Sequence, residues 1–486
     1  MRKEEIVFVV NPSLWVSNMY PTGILSLSAY LEKRGLPSTI LDSALGPPGL
    51  AGAERERAIL ERIGQLKPRL VCFSSTHREF DEVVRMNRAV KELDGGIQTI
   101  VGGAQPTYRS ADFLAHGFDF VGVGEGEATL YEFAGEILGG QNRFRKINGL
   151  HWRAGQEIVA NPPRALLTEE ELNDIPALPY DQLDRRYFEI DLRMIRGLPL
   201  RGALLMTTRG CPFSCSYCGC NLIFGRKLRA YSLAHIEAEV CQLKERHGVE
   251  GIWIGDDTFT VRREHALGVA AILKKHRLIW GCQTRVNTVD EDLMRTMKEA
   301  GCVQIDFGVE SGSQRVLDEI IGKGTKVAQV EQAFRLAKKV GLRTLANFMV
   351  GLPTESRADL GQTEALASRL GADVYVFSIA TPLPGTRLYE MVNEEITPQE
   401  YSMLDWNGSP LMDKIDKSHL GGNLSGERQR LENKFFLSSV VKTLFAGSNY
   451  SFFFSRAHKL ERMRCVTGYL AGYLKTRARS PNSRAP

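Results

Sequence analysis

The sequence predicts an α/β protein with two successive strand–helix domains and a helical C-terminal cap. Two observations support this prediction: five short apolar segments alternate with helical patterns before residue 142, and six longer strand–helix units follow from Ala203. Nearly continuous apolar strands separated by helices are typical of parallel sheets covered on both faces. We therefore expect a doubly wound five-stranded parallel sheet, followed by an open (β/α)6 barrel.

Length and composition indicate a soluble chain with a large core. The 486 residues are 43% hydrophobic and 24% charged, which excludes a disordered or fibrous protein. No segment approaches the roughly 18 apolar residues of a membrane helix. The residues after Met1 lack the apolar stretch of a secretory signal, so we expect a cytoplasmic protein.

The net charge of +5 is unevenly distributed. Nine Lys or Arg residues and one Glu lie between Lys442 and Pro486. This pattern excludes a uniformly basic, nucleic-acid-binding surface and favours a solvated terminus. A weak contact with an anionic membrane surface is the alternative.

The first sheet is expected to bind a ligand at the carboxyl ends of its strands, where doubly wound sheets place their sites. Its strands are predicted at Ile6–Val10, Ser38–Leu41, Leu70–Phe73, Thr99–Val101 and Phe118–Val121. The loops that follow them carry paired glycines and small polar groups, which allow a large flat ligand to approach the backbone. The alternative is that Gly and Pro only form turns. The candidate ligand contacts are Asn11, Ser74, Ser75, Thr76, Gly102, Gly103, Gln105, Gly124 and Glu125.

Domain boundaries follow changes in pattern. The first domain spans residues 1–142, and residues 143–201 form a small hairpin around Gly155 and a polar linker. The barrel spans residues 202–385, and the helical cap spans residues 386–486, where Phe435–Phe445 is helical and Phe452–Phe454 are expected to be core. The barrel strands are predicted at Leu204–Thr208, Gly251–Gly255, Ile279–Arg285, Val303–Val309, Arg343–Val350 and Val374–Ile379.

The main chemical signal is the cysteine cluster Cys211, Cys215 and Cys218, directly after the first barrel strand. In a reducing compartment such a cluster indicates metal or redox chemistry rather than disulfides. Three thiolates can hold three irons of a [4Fe-4S] cubane, which leaves the fourth iron open to a substrate amine and carboxylate. The alternative makes Cys220 a fourth ligand of zinc or of a closed cluster, although Cys218 and Cys220 are too close together in sequence for one tetrahedral site.

With Tyr217 before the third cysteine, this segment resembles the radical S-adenosylmethionine (SAM) superfamily, and the resemblance extends over nearly the whole chain. It implies a partial TIM barrel in which the open iron binds SAM. It also implies that one electron, from a donor such as flavodoxin or ferredoxin, cleaves SAM to a 5′-deoxyadenosyl radical.

Downstream blocks at the ends of later strands also match this superfamily. They include Asp256, Arg285, Glu310 and Gly351, and a final block at Thr381–Thr386. With Tyr217, these four residues are the SAM contacts that the resemblance implies. Arg285 can bind a carboxylate, and Glu310 can bind a ribose or an amine. The alternative for both is a buried salt bridge beneath the barrel rim.

The first domain resembles the Rossmann-like cobalamin domain of one branch of this superfamily. The match rests on Asn11-Pro12, Tyr20–Gly23, Gly102–Thr107 and Gly124–Glu127, and it implies that the candidate contacts of the first sheet bind cobalamin. The cobalt-ligating His of other cobalamin domains is replaced by Ala44. His77 is an outside candidate for that ligand, although a helix start is the favoured interpretation.

The resemblance implies a C-methyltransferase that uses the radical and methylcobalamin to methylate an unactivated carbon of a natural-product or lipid-like small molecule. The runner-up is a cyclase or ring-rearranging enzyme, because Asn433–Leu437 resembles the magnesium-protoporphyrin cyclase and hopanoid ring-contraction group. A remote third hypothesis is a non-catalytic iron–sulfur or zinc protein. RNA-modifying methylthiotransferases are excluded, because only Cys72 lies in the first domain.

Overall fold

Two parallel sheets organise the chain, and they are seen in a computed structural model that describes residues 5–10, 20–42, 52–189, 195 and 200–445. The strands are β1 (Ile6–Val10), β2 (Thr39–Asp42), β3 (Leu70–Ser74), β4 (Gln98–Gly102), β5 (Phe120–Gly122), β6 (Leu150–Ala154), β7 (Glu157–Ala160), β8 (Gly202–Leu205), β9 (Thr208–Arg209), β10 (Arg229–Ala230), β11 (Gly251–Ile254), β12 (Ile279–Thr284), β13 (Cys302–Glu310), β14 (Arg343–Val350) and β15 (Val374–Ile379).

The helices fill the intervals between these strands, as the alternation predicts. They are α1 (Thr22–Lys33), α2 (Gly52–Leu66), α3 (Phe80–Leu93), α4 (Ala104–Tyr108), α5 (Ser110–Ala115), α6 (Glu127–Gly139), α7 (Glu169–Asn173), α8 (Arg186–Glu189), α9 (Cys220–Phe224), α10 (Leu233–His247), α11 (Arg263–Lys275), α12 (Glu291–Glu299), α13 (Val327–Val340), α14 (Arg357–Leu370), α15 (Arg387–Val392), α16 (Pro410–Lys414) and α17 (Leu424–Phe445).

The first sheet contains the five predicted parallel strands, and in the described residues its order is β2-β1-β3-β4-β5-β6-β7. The hairpin β6–β7 differs from the prediction, because it continues this sheet instead of forming a separate appendage. Strand β6 pairs antiparallel with β5 and places Trp152 opposite Phe120. Phe144 packs edge-on against Phe120, with ring centroids 4.8 Å apart. The hairpin therefore covers the exposed edge of β5.

The second sheet is the predicted open barrel, with the parallel order β8-β11-β12-β13-β14-β15 among the described strands. Its first strand is shorter than predicted: the run ends at Leu205, and β9 turns away to pair antiparallel with β10. The Asp256 carboxylate explains this break, because it accepts hydrogen bonds from the backbone N–H groups of Thr207 and Thr208 in place of a neighbouring strand.

The C-terminal cap is helical as predicted over its described part, and it connects the two sheets. Helix α17 packs on the last barrel strand, where the rings of Phe435 and Phe377 stack 5.7 Å apart. The segment 398–409 crosses to the first domain. There, Tyr401 donates to Asp112 Oδ2 at 2.7 Å, and Arg78 pairs with Asp405 at 3.1 Å. Phe452–Phe454 lie outside the described residues.

None of the described helices combines the length and the apolar character that a membrane span needs.

The loop after β14 closes around a buried carboxyl group. Glu355 is fully buried, and its Oε2 accepts hydrogen bonds from the backbone N–H groups of Gly351 at 2.8 Å and Leu352 at 3.2 Å. Burial raises the pKa of Glu355 to about 7, although both backbone donors lower it. The folded protein therefore holds this carboxyl with a proton that the unfolded chain loses near pH 4.5.

This difference predicts a pH-dependent contribution to stability. Between the unfolded and folded pKa values the folded protein binds more protons at Glu355, so this contribution is present at low pH and is lost as the pH rises through about 7. We expect the free energy of unfolding of Glu355→Gln, measured relative to that of the parent protein, to rise by roughly 3 kcal/mol as the pH increases from 4.5 to 8. Thermal denaturation at several pH values measures this difference.

The matched control is Glu299→Gln, which changes an exposed carboxyl at the end of α12. Its stability should follow the parent protein across the same range. Parallel pH profiles for Glu355→Gln and the parent protein would contradict the prediction.

Candidate functional site

The three predicted cysteines lie on one loop, residues 211–218, between β9 and α9; we call it the cysteine loop. Gly210 precedes it with φ of +88°, and a Cβ atom there would come within 2.5 Å of the Lys227 carbonyl oxygen. Backbone hydrogen bonds hold the loop from two sides. The Ser216 N–H donates to the Ile321 carbonyl at 2.9 Å, and the Ser216 carbonyl accepts from Leu388 at 2.8 Å.

Polar groups of the barrel rim contact two of these thiols. Cys211 Sγ lies 3.6 Å from the Thr258 hydroxyl, and Arg285 Nη1 donates to Cys215 Sγ at 3.3 Å. Among the described residues, no three His, Cys, Asp or Glu side chains could hold a single metal ion. A [4Fe-4S] cubane does not require three side chains around one metal ion, because each iron that the protein binds takes a single thiolate.

Cys220 has a hydrogen-bond partner outside the cysteine loop. It begins α9, and its thiol donates to Asp257 Oδ2 at 2.8 Å. Burial, and next the Asp257 carboxylate, raise the pKa of Cys220 above its ordinary value. The geometry therefore gives Cys220 an internal partner away from the cysteine loop, which disfavours its role as a fourth ligand.

Tyr217 and Glu310 meet at the rim of the barrel. The Tyr217 hydroxyl donates to Glu310 Oε1 at 2.9 Å, and the Lys323 ammonium contacts the same oxygen at 2.7 Å. Glu310 thus forms a buried salt bridge with Lys323, which is the alternative role expected for it. Its other oxygen, Oε2, takes part in neither of these two contacts. The backbone of Glu310 has φ of +65°, which directs the side chain back over Gly308.

Arg285 lies beside this group without a carboxylate partner in the described part of the chain. Its guanidinium stacks 3.7 Å from the centre of the Phe213 ring, and Nη2 donates to the Lys323 carbonyl. The buried salt bridge expected as its alternative is absent from the described contacts. Arg285 instead connects the cysteine loop to the segment that carries Lys323.

Asp256 and Gly351 determine the course of the backbone around the site. The Asp256 carboxylate is fully buried and accepts from Thr207 N and Oγ1 and from Thr208 N. Burial raises its pKa to about 6. Because both of its oxygens accept these hydrogen bonds, Asp256 holds the strand before the cysteine loop, and its contact with SAM stays a prediction. Gly351 has φ of +79°, and the Leu424 side chain packs closely against it. A Cβ atom added to residue 351 would lie only 2.6 Å from Leu424.

A cavity of about 240 Å³ lies at the carboxyl ends of the strands of the first sheet; we call it the sheet-end cavity. Gly103 has φ of +107°, and a Cβ atom there would come within 2.8 Å of the Ser75 carbonyl. Apolar side chains form part of the wall, among them Phe8, Phe73 and Ile100. The predicted residues that line the cavity are Ser74, Gly102, Gly103, Gly124 and Glu125.

Three other predicted contacts lie outside this lining. Ser75 is buried within the backbone hydrogen bonds to Gly102 and Gln105, and Thr76 caps the short 3-10 helix His77–Glu79. Gln105 is buried, and its Nε2 has no hydrogen-bond partner among the described residues. Asn11 and Ala44 fall outside the described part of the chain.

His77 is the first residue of that 3-10 helix, as the favoured interpretation expects. Its Nε2 lies 3.1 Å from the carbonyl oxygen of Leu404 in the cap segment. Burial lowers the pKa of His77. The ring is therefore engaged with the cap.

Sequence reasoning missed a buried charged group between the two domains. It consists of Ser26, Glu125, Glu127, Arg209 and Arg229; we call it the interface network. Arg209 contacts Glu125 at 3.3 Å and Glu127 at 2.8 Å, and Arg229 contacts Glu125 at 2.7 Å. The four charged side chains are at most 10% exposed. The pattern of two Glu and two Arg residues is visible in the sequence, but no periodicity shows that they meet.

Tyr108 is a second residue that the sequence did not indicate. It ends α4 in the first domain, and its hydroxyl donates to the Gly219 carbonyl at 3.2 Å. Its ring lies against Gly385, where a Cβ atom would come within 2.9 Å. Burial raises the pKa of Tyr108, so the phenol keeps its proton. Tyr108 therefore joins the first domain, the end of the cysteine loop and the loop after β15.

Comparisons with known proteins agree with this geometry. The family model of the radical SAM superfamily matches residues 205–367, and that of the B12 binding domain matches residues 16–134. An uncharacterized methyltransferase of Pyrococcus horikoshii is 33% identical over 68% of this chain and 71% of its own length. The anaerobic magnesium-protoporphyrin IX monomethyl ester cyclase of Rubrivivax gelatinosus is 26% identical over 86% of this chain and 75% of its own.

Among solved structures, the fold is similar to that of the radical SAM methyltransferase TsrM from Kitasatospora setae, which was determined with cobalamin and a [4Fe-4S] cluster bound. The TM-score is 0.66 at 19% identity, with 79% of this chain and 74% of that chain covered. The B12 binding domain lies in the first half of this chain and the radical SAM domain follows it. The chain therefore belongs to the cobalamin-binding radical S-adenosylmethionine enzymes.

Proposed function

We propose that this protein is a radical methyltransferase that transfers a methyl group to an unactivated carbon of a small natural-product or lipid-like molecule. One observation carries the proposal: Arg209 lines the sheet-end cavity and stands two residues before Cys211, so the cavity and the cysteine loop are neighbours. Two neighbouring cofactor sites allow one substrate to be held against both, away from water.

Cys211, Cys215 and Cys218 are the proposed ligands of the [4Fe-4S] cluster. Their fit rests on the shared loop and on the separate partner of Cys220. Arg285 and Thr258 place hydrogen-bond donors beside two of the sulfur atoms, and such bonds hold thiolate ligands in place. When bound, the cluster supplies the electron that cleaves SAM, and cobalamin carries the methyl group.

SAM is proposed to bind across Tyr217, Arg285, Glu310 and Gly351. Lys323 and Tyr217 fix the Glu310 carboxylate by holding Oε1, which leaves Oε2 for a ribose hydroxyl or an amine. Arg285 is oriented by its stacking on Phe213. Asp256 contributes indirectly, through the strand that leads into the cysteine loop.

Cobalamin is proposed to bind at the sheet-end cavity. The close approach of backbone at Gly103 and the apolar wall fit a large flat ligand with an apolar portion. Ser74, Gly102, Gly124 and Glu125 would surround it. The unpartnered Nε2 of Gln105 is a donor near the same loop, while Asn11, Ser75 and Thr76 remain sequence-based candidates.

Cyclisation or ring rearrangement without methyl transfer is the second candidate function. The similarity to the Rubrivivax gelatinosus cyclase supports it, together with Asn433–Leu437, which lies in α17. Both functions use the same two cofactor sites. Product mass separates them, because methylation adds one CH2 whereas cyclisation changes the oxygen or hydrogen count.

We also propose a cytoplasmic location and an electron donor such as flavodoxin or ferredoxin. The donor follows from the need for one electron in each SAM cleavage. Binding of nucleic acid is not part of the proposal, and contact with a membrane surface is at most weak.

A methyltransferase must form S-adenosylhomocysteine, because the methyl group leaves SAM before it reaches the substrate. We expect the anaerobically reconstituted protein, loaded with hydroxocobalamin and reduced with titanium(III) citrate, to convert SAM into both S-adenosylhomocysteine and 5′-deoxyadenosine. Cys215→Ala should lose the 5′-deoxyadenosine and form much less S-adenosylhomocysteine, because the cluster supplies the electron for radical formation and its open iron is the expected anchor of SAM. Liquid chromatography with mass detection measures both products.

Formation of 5′-deoxyadenosine alone by the protein with reduced cobalamin would favour the cyclase function. A protein that forms neither product, and whose cluster gives an electron paramagnetic resonance signal unchanged by SAM, would contradict both functions.

The crowding at Gly210 predicts that this position controls cluster assembly. In Gly210→Ala, the new methyl group meets the Lys227 carbonyl at about 2.5 Å and disfavours the positive φ, so the cysteine loop must move. We expect iron and acid-labile sulfide per chain to fall by half or more after reconstitution. The control is Gly219→Ala, directly after the cysteine loop, where an added Cβ atom meets nothing within 4 Å. This variant should assemble the cluster normally.

A further inference from the structure

Arg209 belongs to the wall of the sheet-end cavity and stands just before the cysteine loop in sequence. Toward the first domain, its Nη2 lies 2.8 Å from Glu127 and donates to the Ser26 hydroxyl at 2.8 Å. Ser26, Glu125, Glu127 and Arg209 all line the sheet-end cavity. Toward the barrel, Arg209 is the second residue before Cys211. Arg209 is therefore part of the wall of the sheet-end cavity and part of the segment that leads into the cysteine loop.

The position of this side chain is tightly determined. The Ser26 hydroxyl donates to Glu127 Oε1 at 2.8 Å while it accepts from Arg209, so these three groups form a closed ring of hydrogen bonds. The Tyr231 hydroxyl accepts from Arg209 Nε at 3.1 Å. Because the charges are buried, Arg209 cannot move into water without leaving the Glu127 carboxylate without its ion-pair partner.

The backbone between Arg209 and Cys211 is equally constrained. Gly210 is enclosed by the carbonyl oxygens of Lys227, Phe224 and Gly225. Arg229 bonds to the Phe224 carbonyl at 2.9 Å and to Glu125 at 2.7 Å, so the same enclosure is anchored to the first domain. These close carbonyl groups and the positive φ of Gly210 limit how this residue can move, so the path from Arg209 to Cys211 is short and restricted.

We propose that Arg209 is a positioning residue that couples the two cofactor sites, so that cobalamin and the iron–sulfur cluster each increase the affinity of the protein for the other. The inference rests on the proposed function only in placing cobalamin at the sheet-end cavity and the cluster on the cysteine loop. A filled cavity packs against Ser26, Glu127 and Arg209 and holds the interface network in place, which fixes Cys211. A bound cluster fixes the cysteine loop and hence the cavity wall. Such coupling is reciprocal by thermodynamic necessity.

The test is the dissociation constant of hydroxocobalamin, measured by equilibrium dialysis, for protein with and without its cluster. The cluster-free protein is prepared by anaerobic chelation. We expect the parent protein to bind at least about fivefold more tightly when the cluster is present, which is the lower range of typical coupling. In Glu127→Gln, where Arg209 loses the nearer of its two carboxylate partners, this ratio should fall toward one.

The matched control is Glu136→Gln, the same substitution on the same helix α6, where the carboxylate pairs with the exposed Arg143. It should keep the ratio of the parent protein. Ser26→Ala is a milder second variant, and it should lower the ratio even if Glu127→Gln does not fold.

The inference is overturned if the parent protein binds hydroxocobalamin equally well with and without the cluster, or if Glu127→Gln and Ser26→Ala keep the parental ratio. Either result leaves the proposed function intact, because both cofactors are still bound. If hydroxocobalamin binds in neither state, the proposed cobalamin site is wrong and the inference fails with it.

Discussion

A small group of buried charges determines how the two domains of this protein face each other. Parallel sheets present their ligands at the carboxyl ends of the strands, so a reaction that uses both sheets requires these ends to meet. The interface network makes this contact with two arginines from the barrel side and two glutamates from the first domain. A buried pair of this kind stabilises little by itself, but it strongly disfavours any arrangement that leaves one charge alone. Its contribution here is orientation.

The polar residues of the barrel rim are also held by partners within the protein. Glu310 is held by Lys323 and Tyr217, Arg285 by its stacking on Phe213, and Cys220 by Asp257. Each group has a protein partner that fixes its direction before a ligand arrives. Such preorganisation reduces the ordering that binding would otherwise require.

The sequence was sufficient to predict the architecture, because the apolar strands are buried on both faces and therefore read as continuous runs. The strands 343–350 and 374–379 have the predicted bounds. The cysteine motif was equally clear, since all its members lie on one loop. Local patterns were less informative where tertiary contacts decide. The first barrel strand ends early because a carboxylate from a distant loop, Asp256, takes its backbone donors.

The same limit explains the contacts that sequence reasoning missed. Glu125 was predicted as a ligand contact from its glycine-rich loop, and it does line the sheet-end cavity, but Arg209 and Arg229 engage its oxygens. These partners lie more than 80 residues away along the chain. Periodicity reports on neighbours within one helix or strand, so pairings between separate sheets become visible only in three dimensions.

The cap segment 398–409 has a consequence for the order of biosynthesis. It joins the first domain, through Tyr401 and Asp405, to the last barrel strand, where the Trp406 carbonyl accepts from the Ile379 N–H. Because the ribosome synthesises the chain from its amino terminus, the residues of both sheets are made before this joining segment. The contacts of Tyr401, Asp405 and Trp406 are therefore among the last that the growing chain can form between its two halves.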